Sequence, residues 1–312
     1  MLTMVILATT VLPGLGWAIK DPSKASLQIA LLPIPDALPF HVADIKGYFK
    51  YEGVTARPIP VAGPVDRDQL MQAGQIDGML TEITTTAYFN RSGVKIKIVS
   101  TARSPLAGYS LFRILAAPNS HLKSPEDLAG VPIGISKNTI IEYVTDRLLM
   151  EKGLGPKEIK KISIPIIPER YQLLMQGRIK AATLPEPLAN SAMKAGAIQI
   201  VKDGDFPKYS VSVLAFSLKA LKSKPEAVRA FLRAWDRAAE DINTSPEAQR
   251  NIMLKRIGVP GNIRSSYPVP MFPRGKVPNL AQWADAMDWM LSKHLLDHVL
   301  RYQDSITIEY LP

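Results

Sequence analysis

Three carboxylates each follow a short apolar segment: Asp36 after 26–32, Glu82 after 77–80 and Glu186 after 181–184. A carboxylate in such a place accepts hydrogen bonds from a ligand amine, or caps the helix that follows it. The capping role is open to Asp36, to Glu186 ahead of 188–195, and to Thr81 beside a solvated Glu82. If all three face a closed site uncompensated, they repel a bare anion such as nitrate and are costly to bury. Donors stand at Ser136-Lys137-Asn138-Thr139, between an apolar strand at 131–135 and a helix starting near Thr139. Free amides at a helix N-terminus, with the Ser136, Asn138 and Thr139 side chains, suit an anion or a carbonyl, and Lys137 adds charge or points to solvent. Ser104, Gly108 and Tyr109 lie between a strand and a crossover, where the glycine allows close backbone approach. Pro35 flanks Asp36, while Phe40, Tyr88, Tyr109 and Tyr209 offer aromatic faces to a flat or cationic ligand. His294 and His298, four apart around Asp297, have the spacing of a metal pair on a helix, but a solvent-facing helix end explains them more simply and no metal is expected.

The elements that position these residues repeat. Gly74-Gln75-Ile76-Asp77-Gly78 has an echo in Gly177-Arg178-Ile179-Lys180-Ala181, with the leading glycines 103 positions apart. Each copy follows an amphipathic helix (68–73; 170–176), turns on a glycine suited to the left-handed helix end, and enters an apolar strand. In an open α/β sheet, ligands bind beyond the carboxyl ends of the strands, so the two tips are expected to face one another across a cleft. Strands at 26–32 and 54–61 and helices at 40–49 and 66–73 complete a first lobe. A capped helix at 124–130 opens the second, followed by helix 139–151, strand 162–167 and strand 181–184. Segments 110–116 and 211–217 read as crossover strands and hinge. The stripe Val228, Phe231, Leu232, Trp235, Ala239 and Ile242 predicts a core helix; Leu280, Trp283, Ala284, Met287 and Leu291 predict another packed on the outside of a lobe. The expected fold is α/β: two lobes, each a doubly wound, mostly parallel sheet, with two hinge crossings. Its parts are 19–112 (lobe I), 113–210 (lobe II) and 211–312 (hinge return, rest of lobe I and C-terminal helices).

With 312 residues, 46% apolar and 21% charged, the chain is long enough for two cores of about 100–150 residues. Residues 1–18 carry no charge and match a secretory h-region with a cleavage site after Ala18, so a periplasmic location is expected, although a basic n-region is missing. The chain has no cysteine, which excludes a disulfide, a thiolate metal site, a cysteine nucleophile and a lipidated cysteine. Net charge is +10, but the dense basic run at 157–161 reads as a solvated helix end, and nucleic acid is not an expected partner.

The run Phe40-His41-Val42-Ala43, then Lys46-Gly47-Tyr48-Phe49-Lys50-Tyr51-Glu52-Gly53-Val54, then Ala73 to Asp77, the segment at 124–130 and Leu184-Pro185-Glu186-Pro187 together resemble a known family. They are similar to the periplasmic solute-binding proteins of ABC importers for nitrate, sulfonates, taurine and thiamine-pyrimidine precursors. The resemblance implies a type II binding fold closing on one small molecule, no cofactor, and docking of a monomer on an inner-membrane permease with its ATPase. For the ligand, the carboxylates and aromatics suggest an amine-bearing or heteroaromatic solute, with a sulfonate-like one as the alternative. Enzymes on this fold depend on cysteine chemistry that this chain lacks, and a ligand-sensing module for a receptor is the remaining alternative.

Overall fold

The computed structural model describes residues 26–61, 63–106 and 108–312, so the expected signal segment at 1–18 lies outside the described residues. The first described strand, β1 (Ser26–Leu31), has Leu27, Ile29 and Ala30 fully buried, so both of its faces are covered, as parallel strands require. A 3-10 turn at Pro35–Ala37 leads into α1 (Leu38–Ile45). The helix expected over 40–49 is broken: Gly47, at φ +74°, ends the first piece and α2 (Tyr48–Tyr51) begins afresh. Then come β2 (Thr55–Pro60), α3 (Pro64–Gln72), β3 (Gly78–Glu82), α4 (Ile83–Asn90) and β4 (Ile96–Arg103). Strand β3 runs past the expected 77–80 and carries Thr81 and Glu82 on its last two positions.

The middle of the chain forms β5 (Phe112–Ala116), β6 (Ile133–Ile135), α5 (Ile140–Glu151), β7 (Lys161–Ser163), α6 (Ile167–Met175), β8 (Ala181–Pro185), α7 (Leu188–Lys194) and β9 (Ile198–Lys202). The helix expected at 124–130 shrinks to one 3-10 turn at Glu126–Leu128. The Asp127 carboxylate accepts from the amides of Lys123 and Ser124 at 2.8 and 2.9 Å, and so fixes a turn in place of a serine-capped helix. The strand expected over 162–167 stops at Ser163 because Ile167 and Pro168 already open α6. The chain returns through β10 (Ser212–Ser217), α8 (Leu218–Ser223), α9 (Pro225–Thr244), α10 (Pro246–Arg256), α11 (Leu280–Ser292) and α12 (Tyr302–Ser305).

Two five-stranded sheets result, in the orders β2-β1-β3-β10-β4 and β7-β6-β8-β5-β9. Their topologies correspond strand for strand. In each, one strand is antiparallel to both neighbours: β10 in the first, β5 in the second. These lie within the two segments read as crossovers. The repeat also holds in detail, since α3 and α6, and likewise β3 and β8, start 103 residues apart. Gly74 and Gly177 close the two helices at φ +68° and +69°.

The expected stripe on α9 is buried throughout, and Phe231 stacks on Phe49 with ring centroids 5.3 Å apart. On α11 the buried face is Trp283, Ala286, Met287, Trp289 and Met290, while Leu280 and Ala284 are exposed. This helix does not simply cover the outside of one unit. It packs on α4 and also grips α5: the Tyr143 hydroxyl and Arg147 Nε donate to Asp285 at 2.6 and 2.8 Å, and Trp289 Nε1 donates to Asp146 at 2.9 Å. Those bonds tie the C-terminal helix of the first unit to the second.

Candidate functional site

The carboxyl ends of the two sheets meet over a cavity of about 50 Å³. Asp36, Glu82 and Arg103 line it from the first unit, and Phe112, Ile140 and Glu186 from the second. Small-molecule sites commonly enclose roughly 300–1,000 Å³, so this cavity is smaller than a typical solute site.

All three expected carboxylates are at the cavity, but none is uncompensated. Asp36 Oδ1 lies 2.8 Å from Arg103 Nη1, with only 9% and 2% of the two side chains exposed. The same guanidinium donates to the Ser110 carbonyl at 2.9 Å. Glu186 Oε1 lies 2.7 Å from Arg113 Nε, and its Oε2 accepts from the Asn190 amide at 3.3 Å, so the carboxylate caps α7 as well as lining the cleft. Glu82 pairs more loosely with Arg67 at 3.4 Å and accepts from Thr85 at 3.1 Å. The repulsion of anions expected from the sequence is therefore cancelled by neighbouring arginines. Burial alone disfavours the charge on Arg67 and Arg103, yet their carboxylate neighbours outweigh it and raise both pKa values.

Apart from the three carboxylates, none of the expected site residues is among those that line this cavity. Pro35 is buried in the turn that presents Asp36, and Thr81 is buried beside Glu82. Ser136 is buried at the end of β6, and Thr139 caps α5 by accepting from the Ile141 amide at 3.1 Å. Asn138 is exposed at φ +61° and its amide donates to Glu142 at 2.7 Å, so the amides of 138 and 141 already have acceptors. Lys137 points outward. Ser104, Gly108 and Tyr109 belong to a tight loop closed by the Tyr109 amide on the Leu106 carbonyl at 2.8 Å, with Gly108 at φ +83°. Phe40 is not brought to the cleft: it is fully buried between Phe49 and Phe231, because the inward face of α1 packs on α9. Tyr209 is likewise drawn away, packing edge-on against Tyr143 with its hydroxyl on Glu151. Tyr88 is exposed under Arg91. His294 and His298 share no helix, since α11 ends at Ser292 and His294 itself turns at φ +56°.

The sequence reading missed Arg67, Arg103, Arg113, Arg170 and Tyr267. Arg113 in the apolar run Leu111 to Ala117, and Arg103 at the end of an apolar strand, were the available signals. Tyr267 is buried near Glu186, Arg103 and Asp36; burial, then Glu186, raises its pKa, so its phenol stays protonated.

Two α/β units of one topology, joined by two crossovers and meeting at charged tips, define the periplasmic binding protein fold. Residues 34–249 match the model of the NMT1/THI5-like family, and the chain belongs to that family. Among curated proteins it is 24% identical over 239 residues to the 4-amino-5-hydroxymethyl-2-methylpyrimidine phosphate synthase THI12 of Saccharomyces cerevisiae, covering 72% of this chain and 68% of that one. Among solved structures it is similar to the periplasmic aliphatic sulphonate binding protein SsuA of Escherichia coli, with a TM-score of 0.74 and 16% identity over 90% of this chain and 97% of that one. The alkanesulfonate-binding protein SsuA of Xanthomonas axonopodis pv. citri, solved bound to MOPS, gives a TM-score of 0.72 and 14% identity over 91% and 98% of the two chains. At these identities the structural likeness shows the fold.

Proposed function

We propose that this chain is the extracytoplasmic solute-binding component of an ABC-type importer. It would close its two lobes on one small organic solute and deliver it to an inner-membrane permease and its ATPase. Lobe I would be 19–112 with the hinge return and C-terminal helices of 211–312, and lobe II 113–210. The observation that carries the reading is the cavity lined from both units, with a carboxylate–arginine pair at each tip. A solute that touches both tips stabilises the closed form over the open one, which is what a binding protein requires. Localisation in the periplasm as a monomer belongs to the same reading; among the described residues no helix is long and apolar enough to cross a membrane.

The synthase relative favours an enzyme on the same fold, but no cysteine is present to supply the chemistry on which that expectation rested. A thermal-shift screen of residues 19–312 against taurine, alkanesulfonates, nitrate, pyrimidines and aromatic acids tests the proposal. A true ligand at a hundred times its Kd adds about 2.7 kcal/mol of stability. Small-angle scattering should then show compaction with the hit; unchanged dimensions at saturation would refute the clamp.

A further inference from the structure

Two buried donors at the cavity between the units have no acceptor. Strand β10 enters the first sheet at Ser212, between Glu82 at the end of β3 and Arg103 at the end of β4. All three residues line the cavity. Against β4 the register runs from Ser212 with Arg103 to Val213 with Thr101, so Ala102 is an extra residue on that strand. Such a bulge re-aims the side chain beside it, and here it sets Arg103 opposite Ser212, where regular pairing would have set Ala102. Ser212 and Arg103 are buried, at 6% and 2% exposure. Arg103 Nη1 donates to Asp36 at 2.8 Å and Nη2 to the Ser110 carbonyl at 2.9 Å. Its Nε finds no acceptor among the described residues, and Ser212 Oγ has no hydrogen-bond partner there either.

A buried donor left without an acceptor costs about 1–3 kcal/mol, so two at one cavity mark a place where something other than the fold supplies the acceptor. The surroundings decide the charge of that acceptor. Arg103 is already matched by Asp36, and Glu82 and Glu186 are matched by Arg67 and Arg113. A further buried charge of either sign would lack a counter-charge. A neutral carbonyl oxygen, with two lone pairs, accepts from both donors and adds no charge. Leu111, Phe112, Ile140 and Val211 give the cavity apolar walls for the carbon atoms that carry it. A single water needs about 10–15 Å³ of such space, so a cavity of about 50 Å³ takes a group of a few heavy atoms.

We infer that the solute presents an uncharged carbonyl, as in a carboxamide or a lactam, to Ser212 Oγ and Arg103 Nε, and that Ser212 is the residue that selects it. The two donors also stand where the chain leaves the first sheet and where it returns, since β4 ends at Arg103 and β10 starts at Ser212. A carbonyl held by both bears on both crossovers at once, which ties recognition to the hinge. The inference rests on the importer reading above, and it replaces the amine preference drawn from the three carboxylates.

Calorimetric titration of residues 19–312 with propionamide and 2-pyrrolidone, against propionate, propylamine and ethanesulfonate, tests it. An amide probe should bind about tenfold tighter than its charged counterparts. Ser212→Ala should weaken that probe about fivefold, and Ser212→Thr, which keeps a hydroxyl, should restore part of the loss. Because Ser212→Ala removes a hydroxyl that has no internal partner, its unfolding midpoint should stay unchanged or rise. A lowered midpoint with amide affinity kept would make the hydroxyl structural and overturn the inference. The probe comparison on the unaltered chain remains decisive if a variant does not fold. Equal amide affinity in all three proteins overturns the inference. Binding confined to charged probes, with compaction in scattering, also overturns it while leaving the importer reading intact. No binding and no compaction with any probe removes both.

Discussion

In the first unit the arginine of α3 is closed in by Asp68 and Glu82; in the second its counterpart on α6 meets a serine and a carbonyl. Helix, glycine and strand are otherwise superimposable by one offset, so the scaffold was kept while the charge pattern changed. The titration behaviour follows the company. Neighbouring carboxylates raise the pKa of Arg67, whereas burial alone lowers that of Arg170 to about 10. One backbone template therefore holds one arginine paired with carboxylates and another held by a hydroxyl and a carbonyl.

The sharpest way to break this comparison is to remove the satisfied charges first. Arg103→Met strands the buried Asp36 and should cost about 3–5 kcal/mol in denaturant unfolding. Arg67→Met should also destabilise clearly, by less because Glu82 is partly exposed, whereas Arg170→Met should leave the midpoint unchanged or raised. Equal losses for Arg67→Met and Arg170→Met would show that Arg170 has a partner after all.

A pH scan separates the units in another way. Burial, then Arg256, lowers the pKa of His41 in the first unit to about 4, so His41 contributes stability above about pH 6.5 that is lost as pH falls toward 4. Burial raises that of Asp203, after β9 in the second, to about 6, despite the amides of Leu111 and Phe112 that favour its ionised form. Its contribution is full below about pH 4 and is lost as pH rises through 6. Each change amounts to roughly 3 kcal/mol and the two oppose one another between pH 4 and 6. In His41→Gln, stability should fall with rising pH across that window, and in Asp203→Asn it should fall with falling pH. The smallest effects fall where the copies agree. Gly74→Ala and Gly177→Ala each place a Cβ in open space at positive φ, and both should cost about 1 kcal/mol, equal within error.

What was legible in the sequence was local: the helix–glycine–strand unit, the strand ends that bring Asp36, Glu82 and Glu186 to one place, and the α9 stripe. The pairing of those acids was not, because it depends on sheet topology. Asp36 and Arg103 are 67 residues apart, Glu186 and Arg113 are 73 apart, and nothing in either neighbourhood announces the other. Phe40 shows a related limit: its periodic position was right, but which side α9 would cover decided between cleft and core. At 124–130 the cap, proline and glycine were all present, yet an aspartate that bonds backward to two amides won over a serine that would bond forward.

The order of the strands also sets an order in time. β10 lies between β3 and β4, yet it is made only after the whole second unit has been synthesised. Until residue 217 leaves the ribosome, two strand edges in the first sheet have no neighbour, so that sheet cannot close during most of translation. The second sheet needs nothing beyond residue 202 and can form first. A nascent chain halted with residue 205 outside the ribosome and residue 217 still inside it should accordingly protect residues 112–202 from protease while the segment before them remains cleavable.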